Sequence, residues 1–291
     1  MQHSIPLLYK DRRAEGKTVL RQCQLVQLHL LHVFDAVCRE HGLTYVLSQG
    51  SMLGAVRHNG FIPWDDDLDV AMPRKDYEKF IAIAATSLPD DVSLQTPKDI
   101  PYRQLPISKL RDAYSFYCEI RHDISMTDPN GIFIDIFPYD EVPTIWHPLQ
   151  ILLVRICGSS WMRARNSLNL ARYGVACAVW NAMLCSFYRA INISVHAILR
   201  TIGWFVNKKD IFYCIDQADF IFRFDAADLF PAQLHKFEDG EFSIPNNAEK
   251  VLTVRYGNWR EPPPPEKRHG HAGIIDPFHA IPGKWSRKYN G

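Results

Sequence analysis

Apolar positions divide the chain into a patterned first half, a strongly apolar middle and a patterned end. Residues 18–40 repeat apolar side chains at helical spacing, with Leu28, Leu31, Phe34 and Cys38 on one stripe and Gly42 closing the segment. Thr44 to Ser48 is β-branched and aromatic enough for a short strand, and a Gly50-Ser51 turn then opens into a short helical run. The chain returns through Phe61-Ile62-Pro63-Trp64 to a second strand. There the period of two sets Asp67 and Asp69 on one face, with Leu68 and Val70 on the other. Arg74 to Ser87 predicts a second helix with Tyr77, Phe80, Ile81 and Ala84 inward. Strands are predicted at 105–110 and 115–120, followed by an apolar one at 132–137. In that last strand Ile132, Ile134 and Ile136 share a face, and Asp135 lies on the other with Phe133 and Phe137. A final helix around 247–256 ends before the stiff Pro262–Pro265 run. The expected class is α/β (α+β), a mixed sheet core with flanking helices and a helical insertion.

The insertion is the middle region. Between Glu141 and Asp210 there is no acidic residue, while Arg155, Arg163, Arg165, Arg172, Arg189 and Arg200 interrupt apolar runs. The longest uncharged run, Tyr173 to Tyr188, has 16 residues, short of the roughly 20 that span a bilayer. A helical hairpin packed on the core is one reading of it. Flanking Arg also suit an amphipathic helix on an anionic membrane surface, with peripheral contact at the inner face of the cell membrane. The expected organisation is a catalytic core at 1–145, the Arg-studded helical insertion at 146–210, and the rest of the catalytic domain with a basic tail at 211–291.

Candidate chemistry concentrates in Gly50-Ser51 and the Asp65-Asp66-Asp67-Leu68-Asp69 run. An Asp run in a loop is ordinarily a solvated turn or a helix cap. Here it runs into a strand pattern, and two carboxylates on one face repel unless a cation neutralises them. An oxygen-only pair suits Mg²⁺ or Mn²⁺, and backbone N–H groups after the glycine suit phosphate. Asp135, in so apolar a strand, needs a cation or hydrogen-bond donors; a structural Asp bonded to a loop or a buried Arg is the plainer reading, and Asp140 is the fallback if the register differs. Lys109 and Arg111, beside Arg57, His58 and Arg74, are candidate phosphate contacts that as surface charges would be ordinary. Lys267, Arg268, His269 and His271 could fold back on the site.

Charge and cysteine usage narrow the class. The net charge is +1, from 33 basic and 32 acidic side chains, so no global field points to nucleic acid. The 7 cysteines are dispersed without a Cys-x-x-Cys pair, which reads as free thiols in a reducing compartment with zinc disfavoured. The first residues carry no long apolar core before Lys10-Asp11-Arg12-Arg13, so a cytoplasmic location is expected.

Gly50-Ser51-Met52-Leu53-Gly54-Ala55-Val56-Arg57-His58 with Phe61-Ile62-Pro63-Trp64-Asp65-Asp66-Asp67-Leu68-Asp69-Val70 resembles the signature of LicD-type phosphocholine transferases, distantly related to fukutin and fukutin-related protein. Met72-Pro73-Arg74, Ile107-Ser108-Lys109-Leu110-Arg111-Asp112, Asn130 to Pro138, Leu229-Phe230-Pro231, Phe242-Ser243-Ile244-Pro245 and Arg255-Tyr256-Gly257 extend the likeness. The resemblance implies a nucleotidyltransferase-like core in which Asp67, Asp69 and Asp135 hold Mg²⁺ or Mn²⁺, Gly50 and Ser51 contact donor phosphate, and Asp65 or Asp135 takes a proton. It implies transfer of phosphocholine from a CDP-linked donor, CDP-choline, to a hydroxyl of a cell-surface glycan (lipopolysaccharide, teichoic acid or capsule, free or lipid-linked), releasing CMP. Transfer of ribitol phosphate or phosphoethanolamine, true nucleotidyl transfer, and a non-catalytic scaffold are the competing readings. A choline pocket calls for an aromatic cage, for which Trp64, Tyr102, Tyr114, Tyr117, Tyr139 and Trp259 are available.

Overall fold

The computed structural model describes residues 10–99, 107–119, 130–142, 211–213 and 222–281, with helical positions scattered between 179 and 201. Residues group into two compact units, one of 1–96, 107–137 and 228–291, the other of 97–106 and 138–227. Most of the predicted insertion, Tyr102 and the basic tail beyond 281 lie outside the described residues.

In the first unit, the Thr18 hydroxyl accepts the Arg21 amide and starts α1 (Val19–Glu40). Leu28, Leu31, Phe34 and Cys38 are buried as the stripe requires, and Gly42 follows at a positive φ of 60°. The predicted first strand shrinks to β1 (Val46–Leu47), because the chain turns into α2 (Gln49–His58) at Gln49, φ 48°. Asn59, left-handed at φ 53°, ends α2. Gly54 lets the returning chain press close, since a Cβ there would lie 2.5 Å from the Gly60 carbonyl oxygen.

β2 (Asp69–Pro73) then runs antiparallel to β1, and α3 (Arg74–Ser87) has the predicted bounds, with Tyr77, Phe80 and Ala84 buried. The predicted second strand is therefore corrected. Asp67 precedes β2 rather than lying in it, because the strand's pairing with the short β1 begins only at Val70.

β3 (Val92–Gln95), absent from the sequence reading, pairs with β4 (Ser108–Asp112). β5 (Phe116–Glu119) and β6 (Phe133–Val142) follow, and β4 pairs antiparallel with β6. The order β1-β2-β6-β4-β3 makes a mixed sheet with β6 at its centre, which explains the apolar run of Ile132, Ile134 and Ile136.

In the second unit, residues Asp140–Val142 of β6 pair with β7 (Ile211–Tyr213), which pairs with β8 (Phe224–Asp225), and Tyr139 stacks on Phe224. Helical Val179, Trp180, Met183 and Phe187 are each more than half exposed. Among the described residues, no helix is long and apolar enough to cross a membrane.

Back in the first unit, β9 (Gln233–Phe237) and β10 (Gly240–Ile244) form a hairpin. α4 (Ala248–Tyr256), capped by Asn247, precedes the proline run. β11 (Ala272–Asp276) pairs with β5, so the C-terminal region closes over Cys23 and Val26 of α1 and Phe133 of β6. Arg13 is fully buried, its guanidinium bound to both oxygens of Asp112 (2.5 and 3.1 Å), to Asp11 at 2.6 Å and to the Pro277 carbonyl at 2.6 Å.

Candidate active site at the start of α2

The first turn of α2 faces the aspartate run. A Cβ on Gly50 would lie 2.7 Å from Asp65 Oδ2, so glycine lets the helix press against that carboxylate, and Asp67 Oδ1 is 4.0 Å from the same point. Ser51 Oγ accepts the Asp69 amide at 2.7 Å, leaving its own proton to donate elsewhere. The Asp135 amide donates to the Leu68 carbonyl at 2.8 Å, which places β6 against the same run.

Four carboxyls converge as a result, and their electrostatics record it. Burial and the adjacent Asp67 push Asp65 up to about 8, and the two side chains share a hydrogen bond. Burial also raises Asp67, with Asp135 adding to the effect and His271 opposing it. Asp69 is held well above the usual carboxylate range by burial, then by Asp67, Asp135 and Asp65, against the pull of Arg255. A cluster that resists its own ionisation is what a hard divalent cation with oxygen ligands relieves, so the residues present fit Mg²⁺ or Mn²⁺. Among the described residues, ligand atoms of Asp65, Asp66 and His271 lie within 4.8 Å of one another. Asp66, however, already accepts the amides of His271 and Ala272 at 2.8 to 3.0 Å and ties β11 down.

Residues from distant elements hold this run. Gln24 Nε2 donates to the Asp65 carbonyl at 2.9 Å, and Gln27 Nε2 donates to the Asp66 carbonyl at 2.7 Å, both from α1. Arg255, at the end of α4, donates to Gln49 Oε1 at 2.6 Å. His271 Nε2 stands 3.4 Å from Asp67 Oδ2, so His271 of the 267–271 cluster folds back on the site.

The other candidates divide. Lys109, opposite Asp135 in the sheet register, is buried; its Nζ meets Asp135 Oδ1 at 2.7 Å and sits over the Phe133 ring. It positions Asp135. Arg111 is also buried, donating to Gln95 and to the Gly131 carbonyl, so the sheet interior takes the guanidinium expected for phosphate. Arg57 is two helical turns beyond Gly50 and donates to the Trp259 carbonyl and to His58. Arg74 opens α3 against Tyr77. The described aromatics of the expected cage have separate partners: Tyr117 packs on Phe133, Tyr114 on Arg13, Trp64 under Arg268, Trp259 under Arg260, and Tyr139 on Phe224.

Comparison with known proteins gives this geometry its relatives. A family model described as "LicD/FKTN/FKRP, nucleotidyltransferase domain" matches residues 42–153, from before α2 to beyond β6. The chain is 30% identical over 280 residues to the lipopolysaccharide cholinephosphotransferase LicD of Haemophilus influenzae, covering 88% of this chain and 96% of that one. The chain belongs to the LicD family. An uncharacterised protein of Rickettsia prowazekii is 38% identical over 68 residues, 23% of each chain.

The LicD-family signature contains Gly50, Ser51, Asp65, Asp67 and Asp69 but not Gln24 and Gln27, which hold the run from α1. Gln24 and Gln27 interrupt the apolar pattern of α1 as polar yet buried positions, and that irregularity was their signal. Arg255 was marked differently, by the Arg255-Tyr256-Gly257 stretch of the family likeness.

Proposed function

We propose that the protein transfers phosphocholine from CDP-choline to a hydroxyl of a lipopolysaccharide glycan and releases CMP. The observation that carries this reading is the convergence of Asp65, Asp67, Asp69 and Asp135 on the Gly50-Ser51 turn, in a chain akin to a lipopolysaccharide cholinephosphotransferase along most of its length. Asp67 and Asp69 would hold the cation, with Asp135 completing the set and oriented by Lys109. When bound, Mg²⁺ or Mn²⁺ supplies charge neutralisation for the donor pyrophosphate and the departing CMP.

The chain's own groups do the rest. The Ser51 hydroxyl, its oxygen engaged by the Asp69 amide, donates a hydrogen bond to a donor phosphate oxygen. Glycine at position 50 keeps side-chain bulk away from the approaching phosphate. In its ionised form Asp65 takes the proton of the acceptor hydroxyl while the hydroxyl oxygen attacks phosphorus and the bond from phosphorus to the CMP oxygen breaks.

The test is turnover by purified protein with Mg²⁺, offering CDP-choline, CDP-ethanolamine and CDP-ribitol with lipopolysaccharide as acceptor. CMP release with a phosphocholine mass gain is expected, reduced at least about 1,000-fold in Asp67→Asn/Asp69→Asn. Turnover with another donor alone would reassign the head group. Turnover that survives in the double variant would remove the metal role from this pair.

A further inference from the structure

The segment after α4 mixes Arg260, Lys267 and Arg268 with Glu261 and Glu266, and within it Arg268 stands near Arg57 of α2. Arg57, in the last turn of α2, donates Nη1 to the Trp259 carbonyl at 2.8 Å and Nε to His58 Nε2 at 3.0 Å. Arg268 donates Nε to the Pro263 carbonyl at 2.7 Å and lays its guanidinium over the Trp64 ring, 4.7 Å from the centroid. These hydrogen-bond partners are uncharged. Arg260, in the same segment, differs: it pairs with Glu249 at 2.7 Å while stacking on Trp259. Among the described residues no carboxylate pairs with Arg57 or Arg268. Besides partial burial, the charge of Arg268 makes Arg57 harder to protonate, so the two guanidiniums feel each other. Backbone carbonyls that gather two like charges leave a place an anion would stabilise.

The proposed substrates leave little choice of anion. Choline is a cation and cytidine is neutral, so neither gains from paired guanidiniums. The donor pyrophosphate belongs with the carboxylates at the start of α2. Arg57 is 7 residues beyond Gly50, about 10 Å along the helix axis. The ring under Arg268 belongs to Trp64, which immediately precedes Asp65. Each guanidinium is thus tied to an element that also builds the carboxylate site, Arg57 to α2 and Arg268 to the residue before the aspartate run. We propose that Arg57 and Arg268, with Trp64 beneath Arg268, form a subsite for an anionic substituent, phosphate or carboxylate, on the acceptor glycan. The half-buried Trp64 adds an apolar face beside the charge, as sugar rings favour. The assignment of this anion to an acceptor rests on the transfer reading above.

The test titrates the full chain, in EDTA, with glucose 6-phosphate, glucuronate and glucose, followed by NMR. At least one anionic sugar is expected to bind and glucose to bind at least about tenfold more weakly. Arg57→Gln/Arg268→Gln should weaken the anionic sugar by about tenfold or more, with melting curves reporting that the variant is folded. Arg260→Gln should not change it, and Arg57→Lys/Arg268→Lys should retain part of it. The stronger of the two anionic sugars identifies phosphate or carboxylate as the natural group. Equal affinity in the wild type and the Gln variant, or glucose binding as tightly as either anion, overturns the proposal. A second titration uses CDP-choline with Mg²⁺. Unchanged affinity in the Gln variant keeps the pair on the acceptor side, whereas an equal tenfold loss moves it to the donor and overturns the proposal. The sugar titration needs neither donor nor metal, so failure of CDP-choline turnover would sink the transfer reading while leaving this result standing.

Discussion

At the residue scale, Asp65 has the most to say about pH. Its folded carboxyl is pushed from an ordinary 3.8 to about 8, chiefly by burial, so the folded state keeps a proton that the unfolded chain has already released. Stability from this group is complete below about 4 and is lost as pH rises towards 8, and the raised Asp67 and Asp69 act in the same direction. Without divalent cations the melting temperature should therefore fall from pH 5 to pH 8. Mg²⁺ binds the deprotonated carboxylates, so its stabilisation should grow over the same interval. Melting curves in EDTA and in Mg²⁺ check both statements, and Asp65→Asn should flatten the EDTA profile. A flat profile in the unaltered protein would show that these carboxyls do not titrate as a group.

At the scale of elements, α2 acts by where it begins. Its first turn lies so close to the aspartate run that a methyl group at position 50 would meet Asp65 Oδ2 at 2.7 Å. Gly50→Ala should fold, because the clash falls on a side chain, yet it displaces the carboxylate. A shift on the order of 1 Å in such a site costs about 100-fold in rate. Steady-state kinetics beside a melting curve separate the two effects: a large loss of kcat with a small change in Tm is expected. Retained kcat would mean that Asp65 has room to move. α1 shows how an element serves packing and site together, for its apolar stripe fills the core while Gln24 and Gln27 hold the Asp65 and Asp66 carbonyls.

On the scale of the molecule, the two compact units make separate predictions. In the first, Arg13 and Asp112 are a completely buried ion pair between the N-terminal segment and β4. Removing one partner strands the other charge, so Arg13→Met should cost about 3–5 kcal/mol. Arg13→Met/Asp112→Leu should recover part of that loss in urea unfolding; a single variant within about 1 kcal/mol of the unaltered protein would refute the pair's role. In the second, exposed Trp180, Met183 and Phe187 share a stretch without acidic residues. The chain is expected to float with phosphatidylglycerol vesicles and not with phosphatidylcholine ones, and Met183→Glu/Phe187→Glu should abolish flotation. Flotation unaltered by the two glutamates would place membrane contact elsewhere.

Local pattern by itself determined α1, α3 with its bounds, the apolar β6 and the Gly50-Ser51 and aspartate signature, because helical and strand periods and glycine turns are properties of neighbours along the chain. Tertiary structure decided the rest. The short β1 cut the second strand back to Asp69, and β3 formed only because β4 offered it an edge. Arg111 and Lys109 look alike in sequence; the sheet gave one to Gln95 and Gly131 and the other to Asp135. Arg255 and His271 reach the site from α4 and from the segment before β11. Such partners are separated by up to 206 residues, and a carboxylate's neighbours at that separation are set by packing, which no local period records.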